Sequence, residues 1–104
     1  MNTNFEQLET LVEKWGFDKG ILPGPDPMAQ WTKTLEEVEE LRDAIQANDR
    51  EAVKDAIGDI TVTLIMQSGA WGLTMSQSLE AAYEEIAQRT GKMVDGVFVK
   101  DEDK

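Results

Sequence analysis

The chain has 104 residues, 40% hydrophobic and 30% charged, which is enough for one hydrophobic core and too little for two. Its net charge of −11 disfavours nucleic acid and anionic membranes as partners, because both attract basic surfaces. The absence of His and Cys excludes disulfides, catalytic thiolates, histidine-dependent triads and His-ligated zinc. With no membrane-spanning stretch and no signal-peptide pattern, we expect one domain, residues 1–104, in the cytoplasm.

The first predicted helix follows Asn4, whose side chain suits an N-cap. Apolar residues recur at helical spacing from Phe5 to Trp15. Gly16 predicts the end of this helix. Residues 20–27 hold three prolines and two glycines, which cannot continue a helix and therefore predict a loop.

A second helix is predicted from Pro27 to about Ala47, with Asp26 as its N-cap and proline at the favoured first position. Apolar residues at helical spacing predict that one stripe of this helix faces the core. The stripe consists of Met28, Trp31, Leu35, Val38, Leu41 and Ile45.

A third helix is predicted from about Arg50 to Gly69 or Trp71, after a turn at Asn48 and Asp49 that also provides its N-cap. Thr61, Val62 and Thr63 are all β-branched and leave a short strand open as an alternative. From residue 60 to 71 the helix is apolar almost all round, so it must be covered on every side. A chain this small can hardly cover the helix alone, so we expect residues 60–71 to form the bundle centre, a subunit interface, or both. In its first half we expect four residues to face inward: Val53, Ala56, Ile57 and Ile60.

The last part of the chain predicts a fourth helix, capped by Thr74 or Ser76 and ended by Gly91. Its predicted inner side consists of Ser78, Leu79, Ala82, Tyr83, Ile86 and Ala87. Asp95 and Gly96 stand between two short apolar runs, which predicts a turn within a small hairpin or an extended arm.

Carboxylates concentrate on the second and third helices. Glu37 and Glu40 share a helix face, as do Asp55 and Asp59, because residues three or four apart are neighbours. If the two helices pack antiparallel across the short turn, Glu40 lies opposite residues 55–59, and Glu37 lies opposite Asp59 or just beyond. Four or five carboxylates would then share one small volume.

That much negative charge requires compensation, since burying unpaired carboxylates is very unfavourable. Residues 36–59 include nine acids and three bases, Arg42, Arg50 and Lys54, which lie on the wrong faces to neutralise the cluster. A hard divalent cation, Mg²⁺ or alternatively Mn²⁺, is suited to carboxylate ligands. A solvated acidic helix face is the competing interpretation, above all for Glu36 and Glu39.

These segments together resemble the MazG-like family of all-α nucleoside triphosphate pyrophosphohydrolases, whose signature is E-x-x-E on one helix and E-x-x-D on the next. Residues 37–40, Glu-Val-Glu-Glu, match the first half. Asp59 matches the last position of the second half, but Ala56 replaces its Glu, and Asp55 gives an Asp-x-x-x-Asp variant. The likeness extends to Trp15 with residues 19–20, to Lys33, and to residues 82–100.

The resemblance implies an all-α, four-helix-bundle-like protomer with an extended C-terminal arm, assembled as a homodimer or homotetramer. It implies Mg²⁺-dependent cleavage of a nucleoside triphosphate between the α and β phosphates, in nucleotide-pool control or housecleaning. The expected metal ligands are Glu37, Glu40, Asp59 and Asp55, and Glu36 is the candidate general base or a supporting partner, with Glu37 the other catalytic carboxylate. The candidate substrate contacts are Lys33, Arg89 and Lys92 for phosphates and Trp15 and Trp31 for the base.

Two alternatives remain open at this point. The first is a non-catalytic acidic helical module that dimerises through residues 60–71 and binds a basic protein. The second is a phosphoribosyl-ATP pyrophosphohydrolase type of activity within the same superfamily. The first predicts no dependence on divalent cations, whereas the second differs only in substrate.

Overall fold

A computed structural model of the chain describes residues 3–24 and 26–101. This part of the chain forms four helices and one hairpin: α1 (Phe5–Asp18), α2 (Pro27–Gln46), α3 (Arg50–Ala70), α4 (Met75–Ile86), β1 (Gly91–Val94) and β2 (Val97–Lys100). The all-α architecture predicted from the sequence is confirmed. None of these helices is long and apolar enough to cross a membrane.

The helices begin at residues whose side chains satisfy the free backbone N–H groups of the first turn. Asn4 accepts from Gln7 N, and the Gln7 side chain accepts from Asn4 N, which completes a capping box. The predicted caps Asp26 and Asp49 are confirmed. Of the two caps considered for α4, Thr74 is the one used, again in a capping box.

Gly16 does not end α1, so that prediction is wrong. The helix continues to Asp18, and Gly16 is buried where α1 crosses α3. A Cβ atom at this position would lie 2.6 Å from Met66 Sδ and 3.2 Å from Leu22 Cδ1. Gly16 therefore permits a close approach of α1 to the core, at the expense of helix propensity.

The core of the described chain is centred on Leu22, Ile65 and Met66, with three partly buried apolar residues around it, Val12, Ile21 and Met75. The loop after α1 turns back so that Leu22 N donates to Gly16 O at 3.2 Å. Position 25 of the predicted loop lies outside the described residues. In the described part of the loop, the side chain of Leu22 lies between α1 and α3.

Helices α2 and α3 form the most extensive helix pair and run antiparallel across the predicted turn. At the open end of the pair, Gln67 Nε2 of α3 donates to Pro27 O of α2 at 3.0 Å. Near its middle, the buried hydroxyls of Thr34 and Thr63 are 2.9 Å apart. Residues 61–63 are helical, so the strand alternative is wrong.

The face of α2 that packs on α3 differs from the predicted one. It carries Thr34, Glu37 and Ala44, whereas most of the apolar stripe is exposed, including Trp31 at 50% and Ile45 at 60%. In α3 the prediction holds for the buried Ala56 and fails for Ile57, which is 53% exposed. The apolar half of α3 is only partly covered, because Leu64 and Trp71 are exposed.

The predicted inner side of α4 is also exposed, as shown by Leu79, Tyr83 and Ile86. Gly91 does not end this helix, which stops at Ile86; it opens β1 and pairs with Lys100. The Asp95–Gly96 turn is confirmed, with φ values of 50° and 81° that suit a two-residue hairpin loop. The C-terminal segment is thus a two-stranded antiparallel hairpin.

Candidate metal site

Three carboxylates converge between α2 and α3. One oxygen atom from each of Glu37, Glu40 and Asp59 lies within 4.8 Å of the others. Glu37 and Glu40 share a face of α2 because they are three residues apart. Asp59 is brought opposite them by the antiparallel packing, and the Thr34–Thr63 hydrogen bond lies one turn away on both helices. The predicted placement of these three residues is therefore observed.

Glu37 is the buried member of this carboxylate cluster, with 8% of its surface exposed. Its Oε1 lies 3.4 Å from Lys33 Nζ. Its Oε2 is buried and has no hydrogen-bond partner among the described residues. A buried ionised oxygen without a partner is very unfavourable, so such atoms in folded proteins point to an ion, a water or a ligand.

The pKa of Glu40 also reflects the close approach of the three carboxylates. The pKa of Glu40 is raised chiefly because its protonated carboxyl can donate a hydrogen bond to Glu37, and then by the negative charge of Glu37. Desolvation by the surrounding protein and the charge of Asp59 act in the same direction, and Lys33 acts against them. In the absence of a bound cation, the protein therefore favours protonation of Glu40, at the position where a cation can bind.

The donor set fits a hard divalent cation. It consists of carboxylate oxygens alone, whereas zinc and the softer metals prefer nitrogen or sulfur ligands. Mg²⁺ is commonly held by a few carboxylates, with water and substrate phosphate completing its coordination. The mixture of one buried and two exposed carboxylates leaves room for such outer ligands.

Asp55 and Glu36, the other two predicted carboxylates, lie beside the cluster. Asp55 is exposed one turn before Asp59 on α3 and is not a member of the group of three. Glu36 is exposed, and its Oε2 lies 3.3 Å from Lys33 Nζ. Lys33 thus bridges Glu36 and Glu37, and both carboxylates raise its pKa, with the hydrogen bond to Glu36 as the largest cause.

The remaining predicted contacts lie on α1, near the start of α2, and after α4. Trp15 on α1 and Trp31 on α2 are 45% and 50% exposed, so both have aromatic surface available. Arg89 Nη2, just after α4, is paired with Glu85 Oε1 at 3.3 Å. Lys92 lies in β1 of the hairpin, which has no extensive contact with α2 or α3.

Two buried polar features of the fold escaped sequence reasoning, one beside the carboxylate cluster and one between α1 and α4. The Thr34–Thr63 hydrogen bond could have been suspected, because each threonine stands one turn from a predicted ligand. The second is Glu9, a buried acid on α1 that accepts from Met75 N at 2.6 Å, Ser76 N at 3.3 Å and Ser76 Oγ at 2.5 Å. Its partners lie 66 and 67 residues away, so no local pattern indicates it.

The family model for the MazG nucleotide pyrophosphohydrolase domain matches residues 27–94. The match includes α2, α3, α4 and β1, and therefore the whole carboxylate cluster. It covers more than half of the chain, so the chain belongs to the MazG family. The resemblance inferred from the two acidic segments is thereby confirmed.

The chain is also similar to a protein of Haemophilus phage HP1 (strain HP1c1), described as an uncharacterised 18.2 kDa protein encoded in the rep–hol intergenic region. The two are 30% identical over 63 residues, which cover 61% of this chain and 39% of the phage protein. The chain thus spans about two fifths of the length of this curated relative. No solved structure matches the chain.

Proposed function

We propose that the protein hydrolyses a nucleoside or deoxynucleoside triphosphate to the monophosphate and pyrophosphate, with Mg²⁺ bound by Glu37, Glu40 and Asp59. The observation that carries this proposal is the Oε2 of Glu37, which is buried beside two further carboxylates and has no hydrogen-bond partner in the described part of the chain. Membership of the MazG family supports the reaction class. Mn²⁺ is an acceptable substitute, because it favours the same oxygen ligands.

A divalent cation bound to these carboxylates would neutralise phosphate charge and lower the pKa of a bound water. The protein side chains around the cation would bind the substrate and accept the proton. In this proposal Lys33 binds a phosphate oxygen, and Glu36 accepts the proton of the attacking water. The water oxygen bonds to the α-phosphorus, the bond from that phosphorus to the bridging oxygen breaks, and pyrophosphate leaves.

Other residues extend the site in this proposal. Asp55 is one turn from Asp59 and serves as a fourth ligand, directly or through water. Trp15 and Trp31 offer exposed aromatic surface on which a nucleotide base can stack. Arg89 and Lys92 serve as phosphate contacts.

The deciding experiment measures pyrophosphate release from common and modified nucleoside triphosphates, with Mg²⁺ and with a chelator. Glu40→Gln and Asp59→Asn should each abolish Mg²⁺-dependent turnover while helical content, followed by circular dichroism, stays unchanged. Glu39→Gln is the matched control, because Glu39 is an exposed neighbour outside the carboxylate cluster. Turnover at the wild-type level in both cluster variants would refute the site.

The same experiment separates the alternatives. A phosphoribosyl-ATP type of enzyme would release pyrophosphate from that substrate in preference to nucleoside triphosphates. A non-catalytic module binding a basic protein would show no turnover and no stabilisation by Mg²⁺. The orphaned oxygen of Glu37 favours the enzyme, because a protein partner approaching from outside would not reach a buried atom.

We also propose that the protein functions as a homodimer or a higher homo-oligomer. Leu35 follows Thr34, which faces α3, and Leu64 follows Thr63, which faces α2. In an antiparallel pair a one-residue step turns both side chains to the same side. The exposed apolar residues of α2 and α3 therefore form one continuous face, of the kind that a subunit interface covers.

Light scattering on the native protein tests this assembly. Leu35→Glu places a charge in the exposed apolar face and should dissociate the assembly to monomers. Thr32→Glu adds the same charge to α2 one residue after Trp31, outside the apolar stripe, and should leave the mass unchanged. A wild-type protein that is monomeric at micromolar concentration would contradict the proposal.

A further inference from the structure

Gly58 is a glycine that the packing of the described chain does not require. It lies in the interior of α3 and is exposed. A Cβ atom built at this position would meet no heavy atom of the described residues within 4 Å. At Gly16 and Gly69, by contrast, the side chains of Met66 and Leu22 fill that space. A glycine inside a helix is less favourable than alanine, so the free protein would be more stable with alanine at position 58.

The face of α3 that carries Gly58 is covered in the second half of the helix and open in the first. Ile65 and Gly69 each lie within about 20° of Gly58, since a helix turns by about 100° per residue. Ile65 belongs to the core together with Leu22, and Leu22 also packs against Gly69. The loop after α1 therefore covers this face near residues 65–69, whereas no atom of the described chain covers it at Gly58.

Helix α1 ends too early to reach Gly58. It begins beside α4, where Glu9 accepts from Met75 N, and runs back along α3 to Gly16, which lies against Met66. Two residues of α1 follow Gly16, so the helix extends at most about 3 Å farther. Gly58 precedes Met66 by eight residues, or about 12 Å of helix. At least about 9 Å of this face thus lies open beyond the end of α1.

The open face borders the carboxylate cluster. Gly58 directly precedes Asp59, and both Asp55 and Val62 are its neighbours on α3, because residues three or four apart share a face. Beside Asp59, the buried Oε2 of Glu37 has no partner among the described residues, which points to a bound ligand at this place. We call the surface formed by Asp55, Gly58 and Val62 the Gly58 groove.

In the proposed reaction the α-phosphate is held at the carboxylate cluster. The sugar of the nucleotide is joined to this phosphate through one oxygen atom, so the sugar lies directly beside the cluster, whatever the base. On the α2 side, Lys33 occupies the space next to Glu37 and is shared with Glu36. The Gly58 groove offers open space on the α3 side.

The charges around the Gly58 groove disfavour a second copy of this chain as its occupant. Asp55 and Asp59 border the groove, and the chain carries −11, so contact with another copy would bring like charges together. Leu64, in the exposed apolar face proposed for assembly, is turned by about 120° from Gly58 around α3. A sugar is uncharged and arrives with the cation that neutralises the cluster.

We propose that Gly58 is a specificity-determining residue, at which the sugar of the bound nucleotide packs against the backbone of α3 in the space that a side chain would occupy. This inference rests on the proposed function and adds which part of the substrate the α3 side of the site recognises. A methyl group at position 58 stabilises the free helix but takes the space of the sugar.

Gly58→Ala separates these two effects. Its melting temperature in chelator should rise by about a few degrees, because alanine favours the helix. Its KM for a nucleoside triphosphate should rise at least about tenfold, with a smaller change in kcat. Gly58→Leu should raise KM further, whereas Glu51→Ala, two turns earlier on the same face, should leave it unchanged. A lower melting temperature in Gly58→Ala would show that the fold itself requires the glycine and would overturn the proposal.

Isothermal titration calorimetry in Mg²⁺ tests binding without turnover. A nucleoside triphosphate analogue with a methylene group between the α and β phosphates cannot be cleaved at that bond. Gly58→Ala should bind this analogue at least about tenfold more weakly than wild type does. Inorganic triphosphate, which has no sugar, should bind both proteins equally, and stabilisation by Mg²⁺ alone should survive in the variant.

Three further results would overturn the proposal. The first is equal binding of the analogue by wild type and Gly58→Ala. The second is an equal weakening of the analogue and of inorganic triphosphate, which would place the effect at the phosphates. The third is a smaller assembly mass for Gly58→Ala in light scattering, which would assign the groove to a second copy. A wild-type protein that releases no pyrophosphate from any nucleotide would instead refute the proposed function.

Discussion

The Oγ1 atoms of Thr34 and Thr63 lie 2.9 Å apart in the buried seam between α2 and α3, one turn from the three converging carboxylates. Thr63 Oγ1 donates to Ile60 O at 2.7 Å and accepts from Thr34 Oγ1, whose single hydrogen is also within reach of Gln30 O at 3.0 Å. The same register of α2 on α3 places Asp59 opposite Glu37.

Thr34→Val should lower the free energy of unfolding by about 1 kcal/mol, the usual net value of one hydrogen bond. Urea denaturation of single and double variants measures it. Thr34→Val with Thr63→Val should cost less than the sum of the two single changes, because both remove the same bond. Thr61→Val is the control, since its hydroxyl bonds only within α3, to Ile57 O. Additive losses would show that the two hydroxyls are not coupled.

Glu37→Gln should stabilise the metal-free protein and abolish its stabilisation by Mg²⁺. The neutral amide removes a buried charge from a crowded site and can donate a hydrogen bond to Glu40. Melting in chelator should rise by on the order of a few degrees for a domain of this size. The exposed Glu39→Gln should change neither value. A lower melting temperature in chelator would contradict this electrostatic account.

The pH dependence of stability should reveal the raised pKa of Glu40. Because the folded-state pKa lies above the unfolded one, the folded protein binds this proton more tightly. The contribution is therefore fully present below the unfolded pKa and is lost as the pH rises through the folded pKa. In chelator, urea midpoints at pH 7 and pH 5 should show a larger gain on acidification for wild type than for Glu40→Gln. Equal gains would refute the shift.

Glu9→Ala should detach the start of α4 from α1. Its carboxylate accepts hydrogen bonds from two backbone N–H groups and one hydroxyl at residues 75 and 76, and only 5% of Glu9 is exposed. The loss should be about 1–3 kcal/mol, since charge-assisted hydrogen bonds in a buried setting are removed. Denaturation measures the total, and amide exchange at Met75 and Ser76 should accelerate specifically.

The exposed Glu6→Ala on the same helix is the control for removal of an acid from α1. It should leave exchange at those two amides unchanged. Stabilisation by Mg²⁺ should survive in Glu9→Ala, because the carboxylate cluster is built by α2 and α3 alone. Loss of Mg²⁺ stabilisation would show that α4 is coupled to the metal site.

The amino-acid sequence alone determined the features whose causes are local. The caps Asn4, Asp26 and Asp49, the bounds of α2 and α3, and the Asp95–Gly96 turn follow from side-chain hydrogen bonding and backbone conformation within a few residues. The placement of Glu37 and Glu40 on one face follows from helix periodicity in the same way.

Only the tertiary structure decided which faces meet. Apolar residues predicted that the stripe with Trp31 and Ile45 would face the core, yet the face of α2 that packs on α3 contains Thr34 and Glu37, and the stripe is exposed. Gly16 is a close contact rather than a helix end, since Met66 approaches it from another helix. Helical periodicity depends on one helix alone, so it does not reveal which face of α2 packs on α3 or which residue approaches Gly16.

Ala56, at the position where the family signature has Glu, also shows which features the sequence determined and which the tertiary structure decided. Helical spacing established that Asp55 and Asp59 are neighbours on α3, and the resemblance drew attention to Ala56. In the folded chain Ala56 is 4% exposed, whereas Asp55 is exposed and outside the group of three. The cluster is completed instead by Glu37 and Glu40 from α2, because antiparallel packing brings together residues about 20 positions apart.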